Sequence, residues 1–170
     1  MTDRVGPGAY VEMRLYRSGH DPASLLKAFR KAAPGAFVQT LDPAAVGGKT
    51  HLLLTLKQTE ELKGSSQLLA DKAEVDFLLR VAGTKQISEA VRAAGSRIGA
   101  DSLLVVFGGE VEVSEGLAAI SGLVRLRPFL GKVPGRKAAA RIKPVEKGSV
   151  IGGDEVVGRL LAERAALLRK

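Results

Sequence analysis

The chain contains no cysteine and no tryptophan, and only two of its 170 residues are histidine. Without cysteine it can form no disulfide, no thiolate nucleophile and no cysteine-bound zinc site. Neither His20 nor His51 has a serine or a carboxylate at a spacing typical of a catalytic relay or a metal site. The sequence therefore lacks the usual catalytic groups. It favours a binding or adaptor protein without cofactors over an enzyme.

Long apolar runs are lacking as well. The run at residues 103–107 is typical of the longest, and it is far shorter than the roughly 18 residues that a membrane-spanning helix requires. The first residues contain no apolar stretch of the kind found in secretion signals. We therefore expect a cytoplasmic protein.

Basic charge, in contrast, is abundant and unevenly placed. The 26 lysine and arginine residues exceed the 18 acidic residues, which gives a net charge of +8. Residues 125–147 hold eight basic residues and one acid, Glu146, and account for +7 of that excess. Prolines and glycines interrupt the stretch, which predicts a basic loop or insertion over residues 127–150. Two interpretations stay open: a solvated loop, or a surface that contacts nucleic-acid phosphates through Lys132, Arg136, Lys137 and Arg141.

Hydrophobic periodicity predicts strands that alternate with helices. Predicted strands lie at residues 11–15, 36–41, 74–82, 103–107 and 122–127, and predicted helices at residues 22–33, 49–63, 84–94, 112–120 and 154–168. Asp21-Pro22 and Asp42-Pro43 are typical helix openings, and Thr84 is a candidate N-cap. We expect an α+β fold: a single domain over residues 1–170, with a mixed sheet of about four to five strands flanked by helices and an amphipathic C-terminal helix.

One partial motif concerns nucleotide binding. Gly48-Lys49-Thr50 resembles the end of a phosphate-binding loop, but that motif needs a glycine where this chain has Pro43. A proline removes a backbone donor from the phosphate cradle. A nucleotide-dependent enzyme is therefore the least favoured of the function classes considered, and the start of a helix is the favoured interpretation of these residues.

A more specific signal lies in residues 74–90, which read EVDFLLRVAGTKQISEA. This stretch resembles the signature of the CGI-type accessory subunit of the KEOPS complex, the family of the eukaryotic PRPK-binding protein. His51-Leu52 near the start of a helix and the apolar strand at residues 102–107 match the family too. The resemblance covers about residues 41–124 and is most specific over residues 82–90.

The resemblance implies a non-catalytic subunit of the machinery that makes threonylcarbamoyladenosine in tRNA. Such a subunit binds the 3′ CCA end of tRNA and a small atypical protein kinase, and through the kinase it serves the threonylcarbamoyl-transferase subunit indirectly. The residues to which the resemblance assigns tRNA binding are Arg80, Gly83, Thr84, Lys85, Gln86 and Ile87. A turn and a helix cap account for Gly83, Thr84 and Ile87 without any RNA, whereas we expect Lys85 and Gln86 to contact it. Lys85 stands where many relatives have arginine, which makes a different phosphate contact.

The C-terminal helix carries an apolar stripe with two open interpretations. It either docks the kinase or packs on the chain's own sheet, and its residues are Val157, Leu160, Leu161, Ala165 and Leu168. The alternative to the KEOPS hypothesis is an unrelated basic adaptor that binds RNA or associates with the ribosome through residues 125–147.

Overall fold

Strands and helices alternate along the chain in a computed structural model that describes residues 3–6, 9–17, 19–131, 135–141 and 154–168. The strands within these ranges are β1 (Asp3–Gly6), β2 (Ala9–Arg17), β3 (Phe37–Leu41), β4 (Asp101–Gly109) and β5 (Arg127–Pro128). The helices are α1 (Pro22–Ala32), α2 (Lys49–Leu62), α3 (Ala73–Ala82), α4 (Ile87–Ala94), α5 (Glu110–Ile120), α6 (Arg136–Arg141) and α7 (Asp154–Ala166). A short 3-10 helix covers Pro43–Ala45 and begins at the proline of the second Asp-Pro pair. The predicted combination of a small sheet with helices is confirmed.

The chain divides into two compact units, where the sequence predicted a single domain. The sheet unit comprises Met1–Asp42 and Ser96–Phe129, and the helical unit comprises Pro43–Gly95 and Leu130–Lys170. The chain thus leaves the sheet unit after β3 and returns to it before β4.

Strand β4 lies at the centre of the sheet, as its apolar sequence predicted. The strand order is β1-β2-β4-β3, with the two-residue β5 pairing on β2. Every pairing among the described strands is antiparallel. The prediction of a mixed sheet is therefore wrong. Val105 lies opposite Met13 on one side and opposite Gln39 on the other. Its neighbours Leu104 and Val106 are also fully buried, as expected of a central strand.

Helices α1 and α5 pack together in the core of the sheet unit. Asp21 caps α1 by accepting the Ala23 N–H at 3.3 Å, and Pro22 occupies the first turn, which confirms the predicted opening. Phe29 of α1 is fully buried in an apolar cluster that includes Val106 of the sheet. Its ring occupies the place that a side chain at Gly116 would need.

The helical unit is built around contacts of α2 with α3 and α7 and of α3 with α4. Helix α2 begins after Gly48, whose φ of 92° favours glycine. A small apolar cluster joins Ala138 of α6 to Leu161 of α7. Among the described residues no helix has both the length and the apolar character that a bilayer crossing demands.

Two predicted strands are wrong. Residues 74–82 form helix α3 instead of a strand, because nearly the whole segment is buried and its apolar residues are not confined to one helical face. Residues 122–127 contribute only Arg127 to a strand, and the residues before it form a turn and irregular backbone.

Candidate nucleic-acid interface

The turn between α3 and α4 has a defined backbone geometry. Gly83 ends α3 with φ 71° and ψ 33°, a left-handed conformation that glycine adopts without steric cost. Its N–H donates to the Arg80 carbonyl at 3.1 Å, and the Thr84 N–H donates to the Leu79 carbonyl at 3.1 Å. This pair of hydrogen bonds is a Schellman motif. It fixes the direction in which the next residues leave the helix.

Thr84 stabilises the turn from its side chain. Its Oγ1 accepts the Gln86 N–H at 3.2 Å and donates to a carboxylate oxygen of Glu89 at 2.7 Å. The N-cap position of α4 belongs to Gln86, two residues later than the sequence predicted. Thr84 is therefore a turn-forming residue, and its hydroxyl is already engaged inside the protein.

The residues that follow the turn are exposed. Lys85, Gln86 and Ile87 all present their side chains to solvent, and Ile87 is 56% exposed. Val91, one helical turn further on, is 52% exposed and extends the apolar surface of Ile87. The side chain of Gln86 makes no capping hydrogen bond to the start of α4. The turn thus combines a positive charge, an amide, an apolar patch and the positive end of a helix dipole.

Arg80 does not belong to this surface. Its side chain is 1% exposed, and its Nε donates to Asp76 Oδ2 at 2.8 Å. Asp76 also accepts from the Thr59 hydroxyl at 2.7 Å and from the Leu69 N–H at 2.8 Å. A buried and paired guanidinium cannot contact a phosphate at the surface, so the assignment of Arg80 to RNA binding is wrong. The spacing of four residues between opposite charges was the signal for this ion pair.

The basic stretch is only partly described. Arg136 is exposed and Lys137 is half-buried, both in α6, so part of the predicted loop is helical. Arg141 ends the same helix, and Lys132 lies outside the described residues. Arg127 of the sheet unit forms an ion pair with Asp101 at 3.5 Å. Of the four predicted phosphate contacts, Arg136 is therefore the one whose exposed side chain the structure describes.

The apolar stripe of α7 packs within the helical unit. Leu161 and Ala165 are buried, and Val157 and Leu160 pack against the cluster of Ala138 and Leu161. Leu168 is half-buried. The stripe predicted to dock a kinase is therefore not a free face. Leu167, which the sequence did not single out, is 76% exposed at the end of the helix.

The residues that resembled a phosphate-binding loop have structural roles. The Lys49 N–H donates to the Gly131 carbonyl at 3.4 Å, and Gly48 precedes the first turn of α2. His51 is fully buried, and its Nδ1 accepts the Gly47 N–H at 3.0 Å. These bonds hold the start of α2 and engage two backbone N–H donors of the segment, those of Gly47 and Lys49.

Across the described part of the chain, no group of three or more histidine, aspartate or glutamate side chains is placed to hold a metal ion. Comparison with known proteins gives no match to a protein-family model and no significant match to a curated protein.

Proposed function

We propose that this chain is a non-catalytic adaptor of the KEOPS type, which binds tRNA at its 3′ CCA end and docks the KEOPS protein kinase. In that role it supports the threonylcarbamoyladenosine modification of tRNA. The observation that carries the proposal is the joint exposure of Lys85, Gln86 and Ile87 on a rigid turn, at the most family-like part of the sequence.

Each exposed residue has a chemical role in the proposed interface. The Lys85 ammonium neutralises a backbone phosphate, and the Gln86 amide pairs with a base edge or a ribose hydroxyl. Ile87 and Val91 offer an apolar surface to the face of an unpaired base. The Schellman turn at Gly83 fixes this group in place, which lowers the entropy lost when RNA binds. Gly83 and Thr84 thus act by shaping the turn.

The test compares intact tRNA with tRNA trimmed of its CCA end, at one fixed salt concentration. The double variant Lys85→Ala/Gln86→Ala should weaken binding of intact tRNA about ten- to a hundredfold, because it removes one ionic and one neutral hydrogen-bonding group. It should leave binding of trimmed tRNA unchanged. A matched control is Lys27→Ala/Ser24→Ala, which removes one exposed ammonium and one exposed hydroxyl from α1.

Equal affinity of the parent protein for intact and trimmed tRNA would overturn the acceptor-end proposal. The exposed Arg136 would then support the alternative, a basic adaptor that binds RNA without regard to its end. In that case Arg136→Ala should lower the slope of log affinity against log salt by about one, since one phosphate contact is lost.

Kinase docking needs an exposed apolar residue, and Leu167 is the exposed leucine of the C-terminal segment. Leu167→Asp should abolish co-purification with a KEOPS-type kinase, because a charge there opposes apolar contact. Leu123→Asp, at an exposed position of the sheet unit, is the control and should retain the kinase. Retention by both variants would remove Leu167 from the docking surface.

A further inference from the structure

The helical unit contains an open cavity of about 450 Å³ that the proposed RNA contacts do not use. Its lining comes from α2, from the segment that joins α2 to α3, from Arg80 of α3, and from the C-terminal end of α7 with Leu168 just beyond it. Buried polar groups of Gln58 and Arg80 line its inner part, and Glu61, Ser66 and Gln67 are exposed at its rim. A cavity of this size lies within the range of small-molecule sites.

Arg80 supplies donors to this cavity. A guanidinium carries five N–H groups, and three of them have acceptors here. Its Nε donates to Asp76 at 2.8 Å, Nη1 to the Ala165 carbonyl at 3.0 Å and Nη2 to the Gln67 carbonyl at 3.4 Å. Within the described ranges, no residue accepts the remaining two N–H groups. Because the side chain is 99% buried, these groups have little access to bulk water.

Gln58 supplies the complementary acceptor. Its Nε2 donates to the Ala162 carbonyl at 3.0 Å, which fixes the orientation of the amide. Its Oε1 is buried and accepts no hydrogen bond from the part of the chain that the structure describes. A buried carbonyl oxygen without a donor is costly. Both residues line the cavity, so a molecule bound there is the candidate partner for the remaining N–H groups of Arg80 and for Oε1 of Gln58.

Charge and shape restrict what that partner can be. The positive charge of Arg80 is compensated by Asp76, and the carboxylate of Glu61 at the rim is paired with Lys57 at 3.7 Å, so these side chains leave no net positive charge to attract a phosphate or a carboxylate. Leu62 and Leu168 add apolar walls. A molecule that fits this lining is uncharged and has apolar faces. On one edge it carries a hydrogen-bond acceptor next to a donor.

We propose that this cavity binds a small, planar, uncharged molecule with an amide-like edge. Its acceptor atom receives an N–H of Arg80, and its adjacent N–H donates to Oε1 of Gln58. A primary carboxamide and the amino-bearing edge of adenine or cytosine share this chemistry. The proposal goes beyond tRNA binding and does not rest on it, since residues 85–87 take no part.

The first test titrates the protein with nicotinamide, adenosine and cytidine separately and follows the side-chain amide resonances of Gln58 and Gln67 by NMR. We expect saturable shifts of both amides with at least one probe, and the responding probe tells whether a carboxamide or a nucleobase edge is preferred. The N,N-dimethyl derivative of that probe lacks the N–H that Gln58 needs, so it should bind about tenfold more weakly or not at all. Absence of saturable shifts with all three probes at millimolar concentration, or equal binding of the dimethylated probe, would overturn the proposal.

A second test blocks the cavity without touching its polar groups. Ala166→Phe adds a ring at an exposed lining position of α7 and should abolish the shifts. Ala119→Phe, at an exposed position of α5, is the matched control and should bind as the parent does. Gln58→Met keeps the size of the side chain, removes the acceptor and should weaken binding about tenfold. Undiminished binding by Ala166→Phe contradicts the assignment even if Gln58→Met fails to fold.

Discussion

The two units of this chain are stabilised by different kinds of interior. In the sheet unit, the central strand β4 and the core residue Phe29 are buried among apolar neighbours. In the helical unit, an arginine–aspartate pair lies fully buried and binds backbone groups from several segments. The sheet unit also has an ion pair, between Arg14 and Glu12, but the arginine side chain there is 26% exposed.

The two kinds of interior differ in the substitutions that they tolerate. An apolar core tolerates exchange of one apolar side chain for another of similar volume. A buried ion pair has few acceptable substitutes, because the loss of one partner leaves a charge without a counter-ion. The helical unit, which also carries the proposed RNA contacts and the cavity, therefore depends on a few specific polar contacts. Three substitutions probe this contrast.

The largest expected effect comes from Arg80→Leu in the helical unit. It leaves the Asp76 carboxylate buried and unpaired, which should lower the free energy of unfolding by about 3–5 kcal/mol. Urea denaturation followed by circular dichroism measures the change. Adding Asp76→Asn to Arg80→Leu should recover part of the loss, because the unpaired charge is then gone.

The control for this pair is the exposed ion pair between Lys57 and Glu61, 3.7 Å apart on α2. Lys57→Ala should change the free energy of unfolding by at most about 0.5 kcal/mol. Similar losses in Lys57→Ala and Arg80→Leu would contradict the importance assigned to burial.

A smaller effect is expected from Gly116→Leu in the sheet unit. The new side chain collides with the ring of Phe29, and overpacking of this kind costs about 1–3 kcal/mol. The matched control is Gly122→Leu, where an added Cβ meets no atom within 4 Å and the change should stay within about 0.5 kcal/mol. Equal thermal stability of the two variants would show that the α1–α5 contact is less tightly packed than described.

The smallest effect concerns Tyr16 and alkaline pH. Burial raises the pKa of the Tyr16 phenol above its ordinary value of 10.0, and the hydroxyls of Ser96, Ser102 and Thr40 offset part of the rise. The folded chain then holds this proton more tightly than the unfolded chain does. The resulting stability is present below pH 10.0 and is lost as the pH rises through the higher folded pKa.

Urea denaturation from about pH 8 to about pH 11 should therefore show a shallower alkaline loss for Tyr16→Phe than for the parent. Met13→Leu, a substitution of a residue without a titratable group in the same strand, serves as the comparison and should keep the slope of the parent. A parental slope in Tyr16→Phe would contradict the role of this buried phenol.

The sheet unit was largely predictable from the sequence. Alternation of apolar residues located β2, an uninterrupted apolar run located the central β4, and Asp21-Pro22 located the start of α1. These features are local, because the period of the side chains and the chemistry of the cap lie within a few residues of each other. The antiparallel arrangement was not predictable in this way, since it depends on which distant strands pair.

The helical unit was harder to predict, and α3 shows why. Val75, Phe77 and Leu79 alternate with other residues at the period of a strand. In the structure the polar residues Asp76 and Arg80 lie one helical turn apart on α3 and are buried as an ion pair. The turn at Gly83 and the start of α4 were predicted within two residues, because glycine and threonine carry local turn signals. The cavity has no such signal. Its residues come from four separate segments that only the packing of helices brings together.

The hydrogen bond from Arg80 to the Ala165 carbonyl joins a side chain to a main-chain atom. Every residue type offers that carbonyl, so the hydrogen bond does not restrict which residue stands at position 165, whereas the full burial of Ala165 restricts the position to small side chains. Among related sequences, positions 76 and 80 should covary as an ion pair, whereas positions 80 and 165 should show no covariation. This hydrogen bond between α3 and α7 should therefore leave no signal in the covariation of side chains. A deletion that ends the chain before α7 removes it directly.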